Sequence, residues 1–141
     1  MEQTIEQLIA AALETLKNSY APYSHYNVAA AVLMESGAIY TGVNVENASY
    51  PNGICAERNA IFQAVTAGET KALAIAIVGG SEAASGAEIT DYCTPCGMCR
   101  QTLREFCNPD EMIVVSARSE SDYRWMTLAE LLPESFGPES L

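Results

Sequence analysis

Ile5, Leu8, Ile9, Ala12, Leu13 and Leu16 recur at offsets of three and four, which predicts a helix with one apolar face. Thr4-Ile-Glu-Gln7 has the pattern of a capping box and predicts the helix start there. Ala21-Pro22-Tyr23-Ser24 breaks the helix, because a proline drives the preceding residue out of the helical region. Two extended runs follow, Asn27 to Met34 and Ala38 to Val45, and Glu35-Ser36-Gly37 between them predicts a hairpin. Asn47 to Asn52, with Pro51 and then Gly53, reads as a loop.

A second helix is predicted from Cys55 to Ala67, with Gly68 in the position of a helix-ending glycine. Lys71 to Val78 alternates small and branched apolar residues and predicts a buried strand, followed by a loop from Gly79-Gly80 to Asp91. The third helix runs from Cys96 to Asn108-Pro109, and Met112 to Ser116 is another buried strand. Tyr123 to Met126 adds an edge strand. Thr127-Leu-Ala-Glu130 is a second capping box and opens a last short helix, stopped by Pro133. Strands separated by helices need crossover connections, so the expected fold class is α/β: residues 1–141 as one domain, a three-layer α/β/α sandwich around a mixed five-stranded sheet.

Composition narrows what such a domain can do. A chain of 141 residues, 49% of them hydrophobic, can bury roughly two-thirds of its unfolded surface in one core. No run approaches the ~20 apolar residues of a membrane span, and Met-Glu-Gln-Thr-Ile-Glu lacks the order of a secretory signal. The expectation is therefore a cytoplasmic protein without a membrane partner, where thiols stay reduced. Seven Lys and Arg against 18 Asp and Glu give a net charge of −11, which repels a phosphate backbone and excludes a nucleic-acid partner. A small neutral ligand is not disfavoured.

Five cysteines are present, and three fall within Cys93-Thr-Pro-Cys96-Gly-Met-Cys99. Cys96-x-x-Cys99 at a helix start is either half of a zinc site or a redox pair. Zinc needs three or four ligands, so the pair must recruit another. His25, the only histidine, sits in a turn-like segment and is the weaker candidate. Cys55 is the stronger one, because Cys55-Ala56-Glu57-Arg58 opens the second helix. A helix N-terminus favours thiolate, and Glu57 stands beside the same point without ligating. Three thiolates on Zn²⁺ leave a coordination position for water, as in catalytic zinc sites, whereas Cys93 as a fourth would close it. Two rivals stay open on these residues: a thiol oxidoreductase using Cys96 and Cys99, and a binding module stabilised by four closed cysteines.

Cys55-Ala56-Glu57 followed downstream by Pro95-Cys96-Gly97-Met98-Cys99 resembles the signature of the zinc-dependent nucleoside deaminases. Cysteine in place of the histidine common across that superfamily is similar to the small, homotetrameric cytidine deaminases. The likeness extends through Tyr20-Ala-Pro-Tyr-Ser24, Val28-Ala-Ala-Ala31, Gly42-Val-Asn-Val-Glu-Asn-Ala-Ser-Tyr50, Cys99-Arg-Gln101 and Leu131-Leu-Pro-Glu-Ser-Phe136. Ala29 and Tyr26 depart from it, standing where Gly and Phe are usual.

The resemblance implies one Zn²⁺ per chain on Cys55, Cys96 and Cys99. It implies hydrolysis of cytidine and deoxycytidine to the uridine products and ammonia in pyrimidine salvage, by attack of a zinc-activated water at C4. Glu57 would carry the proton from water to ring N3 and to the departing amine. Because three thiolates oppose that activation, Arg58 is expected to donate to thiolate sulfur and offset their charge. Asn44 and Glu46 lie two apart on an extended run, hence on one face, and in the family bind the ribose 3′-hydroxyl. The resemblance also implies that Tyr26 lines the pocket and that the main chain of Ala56 holds the base edge. Phe136 would cover the base in a neighbouring subunit, and Tyr50 would lie between subunits. Cys107 is expected to be a small buried hydrophobe, and Trp125 and the methionines core or interface residues.

Overall fold

The computed structural model describes residues 2–141. Its elements are helix α1 (Glu2–Thr15), strands β1 (Tyr26–Met34) and β2 (Ile39–Val43), helix α2 (Ala56–Thr66), strand β3 (Ala72–Ser81), helix α3 (Gly97–Arg104), strands β4 (Ile113–Ser119) and β5 (Asp122–Thr127), and helix α4 (Leu128–Leu131). The sheet order is β2-β1-β3-β4-β5. Only β3 and β4 pair in parallel, because the chain between them must return across a sheet face and does so through α3. The other pairs are antiparallel.

Strand alternation sorts the apolar residues into two cores. On one face Ala29, Ala31, Ala76, Val78 and Val115 pack against Ile5, Leu8, Ile9 and Ala12 of α1. On the other, Ala30, Val32, Met34, Ile75 and Ile77 pack against Ala60, Ile61 and Ala64 of α2 and Leu103 of α3. Helices on both faces of a mixed five-stranded sheet give the three layers expected. The run of alanines along β1 lets both helix layers approach closely, and Ala29 is fully buried on the α1 side.

The closest approach positions the site. A Cβ on Gly42 of β2 would overlap the α2 backbone at Ala60 N, Ala56 O and Asn59 C, so bare main chain meets bare main chain there. Asn59 Nδ2 adds a hydrogen bond to Val43 O at 3.0 Å. The first turns of α2 are thereby fixed against the sheet.

Several boundaries differ from the periodicity. Helix α1 is already under way at Thr4, so Thr4 and Gln7 are interior residues and not a capping box. Strand β3 runs on through Gly79 and Gly80, which were expected in a loop. Gly79 pairs with Val28, and a Cβ there would come within 2.9 Å of Asn27 O, so close strand pairing demands the glycine. Helix α3 stops at Arg104, ahead of the expected Asn108, because the chain turns there: Phe106 O accepts from Ala72 N and Asn108 O accepts from Met112 N. Strand β2 ends at Val43, and Val45 makes isolated bridges with Tyr20 and Ile54. The Thr127–Glu130 capping box is present as expected. Met34 and Met112 are core residues, whereas Trp125 lies 53% exposed on the edge strand.

Candidate active site

Two helix N-termini meet beneath a cavity of about 680 Å³. Cys55 and Cys96 are the residues immediately before the first turns of α2 and α3, and Cys99 lies inside the first turn of α3. The three sulfurs lie within 4.8 Å of one another, with Cys96 and Cys99 Sγ 3.5 Å apart. Three soft thiolates at tetrahedral-scale separations suit Zn²⁺. Among the described residues Cys93 and His25 are not part of this group.

The cluster favours one thiolate even as free thiols. Cys99, and then Arg58 and Cys96, stand beside the Cys55 sulfur and favour its thiolate, which pulls Cys55 down to about 5. Cys99 is pushed up, because its hydrogen bond with Cys55 favours the thiol and its surroundings are desolvated. Arg58 is the cation nearest the Cys55 sulfur among its influences. Its Nε is buried and has no protein partner among the described residues.

Glu57 is 5% exposed and lines the cavity together with Cys55 and Cys96. Burial, and then the negative Cys55, raise its carboxyl to about 7, opposed chiefly by its own backbone N–H and also by Arg58. A carboxyl held near neutrality in a closed wall can both take and give a proton.

The far wall is built by residues 44–46. Glu46 Oε1 accepts the backbone N–H groups of Tyr23 (3.0 Å) and Ser24 (3.1 Å), and Oε2 accepts the Ser24 hydroxyl (2.5 Å). The Ser24 bond is the largest influence lowering its pKa. Asn44 Oδ1 accepts from Val28 N (3.0 Å) and from the Ser19 hydroxyl, while Nδ2 donates to Tyr26 O (2.8 Å). Each side chain is therefore oriented by the fold, leaving one amide hydrogen on Asn44 and spare lone pairs on Glu46. Both line the cavity, as do Ala56 and Tyr50. Tyr50 is 76% exposed and meets Tyr23 edge-to-face at 5.9 Å.

Tyr26 and Phe136 are placed otherwise. Tyr26 is not among the residues lining the cavity; it stands beside Cys93, which does line it. Burial, with Glu57 nearby, pushes the Cys93 thiol up to about 11, so it is a neutral wall group. Phe136 is 58% exposed and lies outside its own chain's cavity. The sequence reading missed Tyr23, Ser24, Val28 and Thr94 as wall residues. Of these, only Ser24 carried a usable signal, as a turn hydroxyl just ahead of a strand that could orient a carboxylate.

The family model described as "Cytidine and deoxycytidylate deaminase zinc-binding region" matches residues 2–116. The chain is 40% identical over 137 residues to a cytidine deaminase of Sporosarcina psychrophila, covering 97% of this chain and 94% of that one. It is 37% identical over 136 residues to one of Halalkalibacterium halodurans, covering 96% of each. The crystal structure of cytidine deaminase from Burkholderia pseudomallei superposes with a TM-score of 0.80 at 39% identity, covering 92% of this chain and 97% of that one.

Proposed function

Since the chain belongs to the zinc-binding family of cytidine and deoxycytidylate deaminases, we propose that it hydrolyses cytidine and deoxycytidine to the corresponding uridine nucleoside and ammonia. The observation that carries this reading is the convergence of three cysteine sulfurs beside a buried carboxyl at the floor of a nucleoside-sized cavity.

Cys55, Cys96 and Cys99 would hold one Zn²⁺ per chain. When bound, such an ion lowers the pKa of a coordinated water from 15.7 towards ~7 and so supplies a nucleophile at neutral pH. Glu57 is the catalytic residue of the chain itself. Its carboxylate takes the proton that water gives up, delivers it to ring N3, and so makes C4 electrophilic. A second proton passes through the same carboxyl to the departing amine, and each transfer restores the state the next one needs. Arg58 offsets the charge of the thiolates through its hydrogen bond to Cys55.

Asn44 and Glu46 hold the ribose. A sugar hydroxyl can accept the remaining Asn44 N–H and donate to Glu46, and this is the one role for which both are left equipped after their internal bonds. The Ala56 main chain faces the base edge from the α2 N-terminus. Tyr26, beside the wall residue Cys93, is proposed to stand at the rim of the pocket next to the nucleoside. Phe136 and Tyr50 are exposed aromatic side chains that fit contacts between subunits, which supports a homotetramer in which Phe136 covers the base in a neighbour's cavity. No helix among the described residues is long and apolar enough to cross a membrane, which is compatible with a cytoplasmic enzyme of pyrimidine salvage.

A panel of nucleosides assayed on protein of measured zinc content tests the reading. The expected result is one zinc per chain with loss of cytosine absorbance and release of ammonia from cytidine and deoxycytidine. Zinc without turnover of any nucleoside would leave a binding module. A reducible Cys96–Cys99 disulfide without zinc would leave an oxidoreductase.

A further inference from the structure

The C-terminal segment is held by one face of α3. Arg104 is 7% exposed although it is a charged residue, so it is committed to its partners. Its Nε donates to Ser135 Oγ at 2.7 Å, and its Nη2 pairs with the Glu139 carboxylate. Gly137 lies flat against the guanidinium: a Cβ there would stand 2.5 Å from Arg104 Cζ. One turn earlier, Gln101 Nε2 donates to Phe136 O at 2.9 Å. Arg100 fastens the start of the segment through Leu131 O at 2.7 Å. Glu134, with φ of +49°, sits in the left-handed region and turns the chain back onto the helix, a conformation that needs such anchoring.

Ser135, Gly137 and Glu139 alternate along this segment and all face Arg104. Phe136 falls between them, its carbonyl bound to Gln101 and its ring 58% exposed. An aromatic ring left outward on a segment this firmly held is presented by it. We infer that Arg104 is a positioning residue, which fixes the direction of the Phe136 ring by clamping the residues on either side. The inference rests on the reading that Phe136 contributes to nucleoside binding; it adds a residue some distance from the cavity that acts only through that ring.

Steady-state kinetics with cytidine on the zinc-loaded full chain test it, using Arg104→Met, Phe136→Ala and the double variant. Gly137→Ala breaks the same contact from the tail side, should Arg104→Met fail to fold. Arg104→Met and Gly137→Ala should each raise KM by about tenfold, the scale of one aromatic contact, and lower kcat far less. The double variant should be no worse than Phe136→Ala, because residues acting through one contact are not additive. If Phe136→Ala raises KM and neither clamp variant does, the inference fails while the role of Phe136 stands. If Phe136→Ala leaves KM alone, the role of Phe136 fails and takes the inference with it. Loss of zinc, or a double variant worse than either single one, would make Arg104 a support for α3 and overturn the proposal.

Discussion

The two helix starts that supply the metal ligands are secured in opposite ways. Helix α2 meets β2 through main chain, with Gly42 against Ala56, Asn59 and Ala60, and its opening residues Ala56 and Glu57 are buried. Helix α3 opens at the surface. Cys96 is exposed and nothing lies within 4 Å of where a Gly97 side chain would begin. It is held by long cationic side chains: Arg100 bonds Pro95 O and Leu131 O, and Arg104 bonds the tail. Main-chain packing tolerates no change of volume, whereas side-chain ties leave room to adjust. The rigid start carries the buried Glu57 carboxyl, and the adjustable one carries two of the three sulfurs.

The largest effect expected on this contrast is chemical. Glu57→Gln keeps the shape of the rigid start and removes its proton transfer, so kcat should fall by about 10²–10⁴-fold with zinc content unchanged. Parallel elemental analysis and turnover measurements check this, and retained turnover would remove Glu57 from the mechanism. Next come two glycine substitutions of opposite sign. Gly42→Ala forces β2 and α2 apart and should cost about 3 kcal/mol, the upper range of overpacking. Gly97→Ala meets open space inside a helix and should stabilise by about 0.5 kcal/mol. Urea unfolding of both proteins decides it, and equal effects would erase the difference between the helices.

Arg58→Ala should weaken zinc retention about tenfold, as loss of a hydrogen bond to a ligand does. Competition with a chelator measures it, and unchanged retention would make Arg58 a mere surface charge.

A separate effect is in pH. Burial raises Glu57 to about 7 from the ordinary 4.5, so between those values the metal-free folded state holds a proton that the unfolded state has lost. Stability of metal-free protein relative to Glu57→Gln should therefore fall as pH rises through that window and level off above it. The lowered Cys55 works in the other direction, but it is common to both proteins. Thermal unfolding from pH 4 to 8, an approximate span around that window, measures the difference, and a flat difference would contradict it.

Much of this was legible because it is local. The offsets of Ile5 to Leu16 and the Thr127–Glu130 box need only neighbouring residues, as do Gly37 and Gly68, which take the positive φ their turn and helix-end positions require. The three ligands and Glu57 could be grouped because thiols and helix starts announce themselves. What stayed hidden depends on contacts between distant segments. Gly79 looked like a loop residue because its need for closeness to Asn27 lies across the sheet. Asn44 could be placed on one strand face with Glu46, but its bonds to Ser19, Tyr26 and Val28 join separate segments and left no local trace.

The single parallel pairing, between β3 and β4, has a consequence for how the protein is made. Cys55 precedes that crossover while Cys96 and Cys99 lie within it, so the three sulfurs join segments on either side of β3. During synthesis the first three strands and α2 can associate while the later cysteines are still emerging from the ribosome. An ion bound at the three sulfurs would tie the helix before the crossover to the helix inside it, so metal binding and folding are coupled.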